Sequence, residues 1–130
     1  MNRGNTSISE AEWRVMKVLW ESSPLPLAEI VERLSHTGWS TTTIQTYLAR
    51  LVKKGILKTQ RKGKGFLYSP TVSEQACQLA ESKSFLNRVF KGSVSGLVTS
   101  FIKSGNLSDS ELEQLRKLVS EQERRKKDGG

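Results

Sequence analysis

One stretch of the chain, residues 40–51, limits the possible folds more than any other. Apolar residues recur there at the spacing of helical turns, in the order Ile44, Tyr47, Leu48 and Leu51. This spacing predicts an amphipathic helix with a single buried stripe. Ser40 precedes the helix, and its hydroxyl can accept a hydrogen bond from a free backbone N–H of the first turn. The rest of the chain must therefore supply a core that covers this stripe.

The opposite face of the predicted helix is polar and lacks carboxylates. It consists of Thr41, Thr42, Gln45, Thr46, Ala49, Arg50 and Lys53. A helix that meets only water usually mixes both signs of charge on its outer face. This face therefore predicts contact with a polar, negatively charged partner, and DNA fits that description best.

Charge is unevenly distributed along the chain, and the distribution also favours a polyanionic partner. The 130 residues carry a formal net charge of +8. There is no Asp or Glu between Glu32 and Glu74, whereas that block contains Arg33, Arg50, Lys53, Lys54, Lys58, Arg61, Lys62 and Lys64. A basic soluble protein with no polyanionic target is the alternative. Random mixing rarely leaves such an acid-free block, so the cations are interpreted as placed.

The first 70 residues predict a winged helix-turn-helix domain. Ser9 and Glu12 form a capping box that begins a helix ending near residue 21, and a second helix follows near residues 27–35. After the third helix, Gly55 suits the left-handed position that ends a helix. Two strand-like runs, 56–60 and 66–69, then flank a basic turn over residues 61–65. In this order the third helix enters the major groove and the hairpin is the wing.

The remaining residues predict a mainly α chain with a second, helical domain over 71–122. Apolar residues at helical spacing predict helices over 73–91 and 94–103, and Ser108 with Glu111 opens a third. Three short helices make a poor core alone, so we expect them to pair with a second copy across a two-fold axis. Packing onto the winged helix is the alternative. The expected dimerisation residues are Phe85, Leu86, Val89, Leu97, Val98, Phe101, Leu112 and Leu115.

Both ends of the chain are expected to be loose, a polar arm over residues 1–7 and a charged flexible tail over 123–130. We find no signal peptide and no apolar run near the ~20 residues that a membrane span needs. A single cysteine, Cys77, allows no intramolecular disulfide and fits a reducing compartment. The sequence therefore predicts a cytoplasmic protein without membrane association.

Catalytic and metal chemistry find little support in the sequence. Nucleophilic or general-base catalysis needs paired groups, and His36, the single histidine, has no obvious acid or thiol partner nearby. One histidine and one cysteine also cannot supply a soft tetrahedral metal site. We therefore expect neither an enzyme nor a cofactor.

Several segments together resemble the penicillinase-repressor family of bacterial transcriptional repressors. In the first domain these are I-S-E-A-E-W-R-V-M at 8–16, A-E-I-V at 28–31, the run at 41–55 and F-L-Y-S at 66–69. In the second they are F-L-N-R-V-F-K-G at 85–92, L-V-T-S-F at 97–101 and L-S-D-S-E-L-E-Q-L-R at 107–116. The resemblance covers the chain from Ile8 to about Val119.

The resemblance implies a homodimer that binds inverted repeats of TACA/TGTA type in promoters of resistance or metal-homeostasis genes. Gln45 can bond an adenine edge, and Thr42, Thr43 or Thr46 can touch a thymine methyl or a phosphate. Phosphate contacts are expected from Arg50, Lys53, Arg61, Lys62 and Lys64. Members of the family often carry a cation where this chain has Gln45, which is a departure from the pattern.

The mode of release divides the family. The copper-responsive branch ends in a cysteine-rich motif, whereas this chain ends in E-R-R-K-K-D-G-G. The β-lactam branch is inactivated by proteolytic cutting at an Asn-Phe bond in the dimerisation domain, which corresponds here to Ser100-Phe101, and a membrane-linked protease is the expected agent for this chain. Cleavage at that bond is one expectation, and Phe101 as an ordinary core side chain is the other.

Two functional alternatives stay open at this stage. One is a regulator released by a small molecule that binds a pocket lined by Trp13, Trp20 and Trp39. The other is a winged helix used for protein contacts, with the basic face serving solubility. Placement of cations both at the end of the third helix and in the wing argues against the second alternative.

Overall fold

A computed structural model describes residues 7–129, so residues 1–6 of the predicted arm and Gly130 of the predicted tail lie outside the described residues. The mainly α architecture is confirmed, with six helices and a small sheet in the described part. The elements are α1 Glu10–Glu21, β1 Leu25–Pro26, α2 Leu27–Arg33, α3 Thr41–Lys53, β2 Leu57–Lys62, β3 Gly65–Pro70, α4 Glu74–Phe90, α5 Val94–Lys103 and α6 Asp109–Asp128.

Local hydrogen bonds explain where the helices begin and end. Ser9 and Ser108 both form complete capping boxes, with Glu12 and Glu111 respectively, as the sequence predicts. Ser40 caps α3 by accepting a hydrogen bond from the Thr43 backbone N–H. Gly55 ends α3 with a φ of 81°, a left-handed conformation that glycine adopts without strain. Ser40 and Gly55 thus set the start and the length of α3, the helix with the polar outer face.

The sheet contains a strand that the sequence did not reveal. Its order is β1-β3-β2, and β1 pairs with β3 through Leu25 opposite Tyr68 and Pro26 opposite Leu67. We expected residues 22–26 only to interrupt the helices. A strand of two residues shows no periodicity, and Pro26 can occupy it because β1 is an edge strand. Strand β1 therefore joins the middle of β3 to the segment between α1 and α2.

The hairpin turn is shorter than predicted. We expected residues 61–65 to form the turn, but Arg61 pairs with Phe66 and Lys62 pairs with Gly65 across the two strands. The turn therefore consists of Gly63 and Lys64, and Gly63 has a φ of 61°. Two-residue hairpin turns need a positive φ at the first position, which glycine adopts most easily. Two of the wing cations thus lie on strands, where the pleat fixes their directions.

The core of the first unit is built from α1, α2, α3, the sheet and the first half of α4. Ile44, Leu48 and Leu51, on the predicted stripe of α3, are completely buried. Trp13 and Trp20 pack at the margin of the core with their rings edge to face, 5.3 Å between centroids. Core packing therefore accounts for both indoles of α1. The buried apolar set is Val15, Met16, Leu19, Leu25, Ile30, Leu34, Ile44, Leu48, Leu51, Ile56, Leu57 and Cys77.

The first half of α4 packs with the winged helix, and the chain divides into two compact units between Lys83 and Ser84. The boundary expected from the sequence, residue 70, lies earlier. Cys77 is buried in the core, and the Trp20 Nε1 donates to the carbonyl of Val72 over 3.0 Å. Lys17 Nζ lies 2.9 Å from a carboxylate oxygen of Glu74. These contacts hold the start of α4 to α1.

The second unit consists of the end of α4 with α5 and α6. None of its described residues from Ser84 onward is buried. Large apolar side chains stand exposed instead, including Val89, Val94, Phe101 and Leu118. The segment expected to be a flexible tail is helical as far as Asp128, because the capping box opens α6 and basic residues in its last turn suit the helix dipole. No helix among residues 7–129 is long and apolar enough to cross a membrane.

Candidate nucleic-acid interface

The outward face of α3 is the centre of the candidate interface. Burial of Ile44, Leu48 and Leu51 turns the opposite side of the helix to solvent. Thr43 differs from the other predicted residues of α3, because its side chain is half-buried. The structure thus brings six of the seven predicted α3 residues onto one open surface. These six exposed residues are Thr41, Thr42, Gln45, Thr46, Arg50 and Lys53.

Two threonine hydroxyls of α3 already have partners. The Ser40 Oγ donates to the Thr43 Oγ1 over 3.0 Å, so the Thr43 hydroxyl belongs to the helix cap. The Thr46 Oγ1 donates to the carbonyl of Thr42 over 3.0 Å. That bond uses the hydroxyl proton of Thr46 and leaves its methyl group and acceptor lone pairs available. Gln45, next to Thr46 in the chain, is exposed.

The start of α3 is held by an aromatic pair and a turn. The rings of Trp39 and Tyr47 pack edge to face, with centroids 5.1 Å apart. The backbone N–H of Trp39 donates to Thr37 Oγ1 over 3.1 Å. Both rings also pack against the buried core. The loop before the helix is therefore ordered by contacts that do not use the outward face.

Two adjacent lysines at the end of α3 have different environments. Lys53 is exposed on the outward side. Lys54 turns inward, where its Nζ donates to Glu12 Oε1 and, over 2.8 Å, to the carbonyl of Ser7. Glu12 is only 2% exposed. Both lysines belong to the acid-free block of the sequence, and the structure separates an accessible cation from one held by a buried carboxylate.

The pKa of the Glu12 carboxyl is lowered from its ordinary value of 4.5. Burial by itself raises this pKa, since it disfavours the charged form. The hydrogen bond from Lys54, those from Ser9 and the positive charge of Lys54 act in the opposite direction and prevail. Glu12 is therefore a buried carboxylate that stays ionised at neutral pH.

The wing presents its cations in three directions. Arg61 and Lys62 are neighbours on β2, so their side chains leave opposite faces of the hairpin, and Lys64 lies at the tip. Lys58 is exposed and lies on the same face as Lys62. All three predicted wing cations are exposed, although they do not share one face. Lys58 was not among the predicted DNA contacts. It could have been found from the sequence, because alternate residues of a strand share a face and Lys58 is four residues from Lys62.

Phe66 is a wing residue that was not predicted from the sequence. It lies directly opposite Arg61 and is 47% exposed. The guanidinium carbon of Arg61 lies 5.8 Å from the centroid of the Phe66 ring, within the range of a cation–π contact. The ring is therefore an aromatic neighbour of the Arg61 guanidinium on one face of the hairpin. The sequence could have indicated Phe66, because it is a large apolar residue beside the cations of the hairpin.

The three tryptophans do not form one pocket. Trp13 pairs with Trp20, whereas Trp39 pairs with Tyr47. An open groove runs between the wing and the residues around β1, and its lining includes Pro24, Glu29 and Phe66 but none of the tryptophans. The geometry gives no support to a ligand pocket built from the three indoles.

The single histidine and the single cysteine lie in unrelated surroundings. His36 is exposed in a 3-10 turn, Ser35–Thr37. Cys77 is buried, and burial, followed by the negative charge of Glu81, raises the pKa of its thiol. Within residues 7–129, no group of three or more His, Cys, Asp or Glu side chains is placed to hold a metal ion. Cys77 is accordingly a structural thiol.

The predicted dimerisation residues lie in the second unit and are half-buried or exposed. Phe85, Val89, Phe101 and Leu115 are between 38% and 52% exposed. Ser100 and Phe101 are exposed within α5, and the carbonyl of Phe101 accepts hydrogen bonds from the Asn106 N–H and the Ser104 Oγ. The other four predicted residues, which are half-buried, are Leu86, Leu97, Val98 and Leu112.

Comparison with known proteins gives consistent matches over nearly the whole chain. A family model described as penicillinase repressor matches residues 8–121. The penicillinase repressor of Bacillus licheniformis is 40% identical over 122 residues, which cover 93% of this chain and 95% of that protein. The methicillin resistance regulatory protein MecI of Staphylococcus aureus (strain N315) is 35% identical over 121 residues, which cover 92% of this chain and 98% of that protein.

A solved structure matches the winged-helix architecture. The solution structure of the DNA-binding domain of the repressor BlaI aligns with a TM-score of 0.51 and 44% sequence identity. The match covers 57% of this chain and 90% of that domain. The fold class predicted from the order of helices and hairpin is thereby confirmed.

The buried carboxylate predicts a pH dependence of stability. Because its pKa is lower in the folded state, Glu12 contributes stability that is present above 4.5 and is lost as the pH falls through the folded-state pKa. We expect Glu12→Gln to lower the free energy of unfolding by about 1–3 kcal/mol at neutral pH, because a charge-assisted hydrogen bond is weakened. The difference from the unmodified protein should shrink as the pH falls below 4.5. Urea titrations across that range measure it.

Glu10→Gln is the matched control, since Glu10 lies in the same helical turn with its side chain 90% exposed. It should change stability by no more than about a few tenths of a kcal/mol at any pH, as expected for an exposed ion pair. A Glu12→Gln effect that is the same at all pH values would contradict the ionised, Lys54-paired state.

Proposed function

The chain belongs to the penicillinase repressor family, and we propose that it is a homodimeric transcriptional repressor that binds an inverted-repeat operator of TACA/TGTA type. As a member of this family it is a DNA-binding repressor and not an enzyme. One observation carries the proposal for this chain: α3 of a winged helix exposes a polar face without a single carboxylate. A double helix with one charge per about 1.7 Å is the partner that such a face suits.

Base recognition is assigned to the middle of α3. Gln45 is exposed in the second turn of the helix, and its amide can donate to and accept from an adenine edge in the major groove. The methyl group of the exposed Thr46 suits contact with a thymine methyl. We infer phosphate contacts from Thr41 and Thr42, at the start of the helix, through hydroxyls and backbone N–H groups. Thr43, half-buried in the cap, has the smaller part.

Phosphate contacts are assigned to the cations at the end of α3 and in the wing. Arg50 and Lys53 are exposed on the outward side of the helix. Since Arg61, Lys62 and Lys64 point in three directions, we infer that they reach phosphates on more than one strand around the wing. Such contacts fix the register of the protein on DNA more than they read its sequence.

Homodimer formation is assigned to the second unit. From Ser84 to Gly129 not one described residue is buried, although α5 is strongly apolar on one side. Burial of such unpaired apolar area is stabilising, by about 25 cal/mol per Å². A second copy supplies the same surface in return, as a two-fold interface requires. Two winged helices held in this way match the two halves of an inverted repeat.

Release of the repressor is assigned to proteolysis at Ser100-Phe101. The bond lies near the end of α5, on residues exposed to solvent. A cut there separates α6, with Leu112 and Leu115, from the rest of the chain and divides the proposed dimer surface. Proteases bind extended substrates, so the last turn of α5 has to open first. Because no residue of that turn is buried within its own chain, such opening requires little free energy before the dimer contacts of Phe101 are counted.

The operator assignment is tested by fluorescence anisotropy with a TACA/TGTA inverted-repeat duplex and a scrambled duplex, each over a range of salt concentration. We expect a strong preference for the repeat with two chains bound per duplex. Equal, strongly salt-dependent binding to both would keep a nucleic-acid role and remove the operator assignment. No binding to either duplex would favour the protein-contact alternative.

Substitutions in α3 and the wing should have different effects. Gln45→Ala should reduce the preference for the repeat by about 1–3 kcal/mol, because alanine cannot bond a base edge. Lys62→Ala combined with Lys64→Ala should weaken binding to both duplexes alike. It should also lower the slope of log K against log salt by about 0.9 for each phosphate that is no longer neutralised. If neither variant changes DNA binding, the assignment of α3 and the wing is wrong.

The dimer surface is tested by placing a charge on it. Phe101→Asp should weaken the dimer by about 2 kcal/mol or more, the scale of a buried aromatic anchor at an interface. Sedimentation equilibrium measures the dissociation constant. Thr99→Asp is the matched control, since Thr99 is exposed on α5 away from the apolar stripe, and it should leave the dimer intact. Equal dissociation constants for both variants and the unmodified chain would place the interface elsewhere.

Cleavage is tested by mass spectrometry of the repressor recovered from cells before and after exposure to a β-lactam. We expect an N-terminal fragment that ends at Ser100 only after exposure. Intact chains alone, recovered from cells in which the regulated gene has been induced, would exclude proteolytic release.

A further inference from the structure

Glu12 and Lys54 lie 42 residues apart in the chain and meet inside the first unit. Lys54 is the residue that caps the C-terminal end of α3, and Glu12 lies in the first turn of α1. We propose that this pair is a positioning device: it sets where α3 sits along its own axis, and thereby the alignment of Gln45 with the base edges. The inference rests on the proposed function, DNA binding through α3.

The apolar stripe alone leaves this position underdetermined. Burial of Ile44, Leu48 and Leu51 decides which side of α3 faces outward. Hydrophobic burial is non-directional, so the stripe specifies the rotation of α3 about its axis more sharply than its position along that axis. A hydrogen-bonded ion pair is directional and short, and it resists a slide of the helix along that axis. The pair therefore specifies the position of α3 along its own axis, which the apolar stripe does not fix sharply.

Glu12 is itself held firmly enough to act as a reference point. Its Oε1 also accepts a hydrogen bond from the Ser9 backbone N–H over 3.0 Å, which completes the capping box of α1. The residue before Ser9, Ile8, donates its backbone N–H to Glu81 Oε1 over 2.9 Å. A line of hydrogen bonds thus runs from the end of α3 through the start of α1 to α4. All these residues belong to the first unit.

Lys54 is poorly placed to contact DNA. Its side chain is 22% exposed, and its Nζ already donates to Glu12 and to the Ser7 carbonyl. Lys53 is exposed and turned about 100° away around the helix. Two neighbouring lysines thus have separate roles, one toward phosphate and one toward the protein interior.

Energetics also favours a geometric role for the pair. Removing two charges from water offsets much of their attraction, so buried ion pairs add little stability compared with apolar residues of similar volume. In some proteins, coiled coils among them, a buried polar or ionic group specifies one arrangement among several of similar energy. The arrangement specified here is that of the helix assigned to base recognition.

The test compares Lys54→Met with its neighbour Lys53→Met, each binding the inverted-repeat and scrambled duplexes over a salt series. Circular dichroism selects a temperature at which every variant is folded. Lys53→Met should lower the slope of log K against log salt by about 0.9 for each chain on the duplex, with the preference for the repeat kept. Lys54→Met should keep the slope and reduce the preference about tenfold, the scale of one misaligned base contact.

Glu12→Gln tests the same role from the other partner and keeps the shape of the buried side chain. It removes no cation, and it should reduce the preference for the repeat with an unchanged slope. A role in stability alone leaves the preference intact in folded protein, so the preference is the deciding measurement. Should Lys54→Met fail to fold, Glu12→Gln decides by itself.

Two results would overturn the positioning role. One is a slope that falls for Lys54→Met as much as for Lys53→Met, which makes Lys54 a phosphate contact. The other is an unchanged preference in folded Lys54→Met and Glu12→Gln. An unmodified protein that binds neither duplex would instead overturn the proposed function, and this role with it.

Discussion

Burial of one apolar stripe of α3 is the constraint on which the rest of the structure depends. Ile44, Leu48 and Leu51 are fully removed from solvent as α3 packs against α1 and β2. Taking three large aliphatic side chains out of water is worth several kcal/mol, a large part of the net stability of a small domain. Because the stripe faces inward, the carboxylate-free face must point outward. Stability and exposure of the candidate interface thus follow from one packing event.

The positive charges of the first unit divide into accessible and structural ones. Lys53 and the wing cations are exposed, whereas Lys54 is paired with a buried carboxylate. The net charge of the chain does not distinguish accessible cations from paired ones. The distinction matters because only an accessible cation can release counterions from DNA. A cation paired inside the protein instead orients the elements that it joins. Arg61, whose guanidinium carbon lies 5.8 Å from the centroid of the Phe66 ring, is an accessible cation with an aromatic neighbour.

The two units differ in how they bury apolar surface. Between residues 7 and 83, the first has its own core of twelve buried apolar residues, to which α4 contributes Cys77. The second, as far as Gly129, has exposed and half-buried apolar residues at the positions predicted for a dimer. Periodicity predicted α5 over the observed residues, 94–103. It could not assign the first half of α4 to the first unit, because the anchoring hydrogen bonds of Trp20 and Lys17 join residues 52 and 57 positions apart.

Local patterns determined much of this protein. The stripe of α3, the capping boxes at Ser9 and Ser108, and Gly55 at the end of α3 are interactions among residues a few positions apart, so the sequence alone specifies them. The strand at Leu25, the two-residue turn between Lys62 and Gly65, and the inward turn of Lys54 were decided by the tertiary structure. These features depend on pairing between separate segments, and periodicity within one segment carries no information about such pairing.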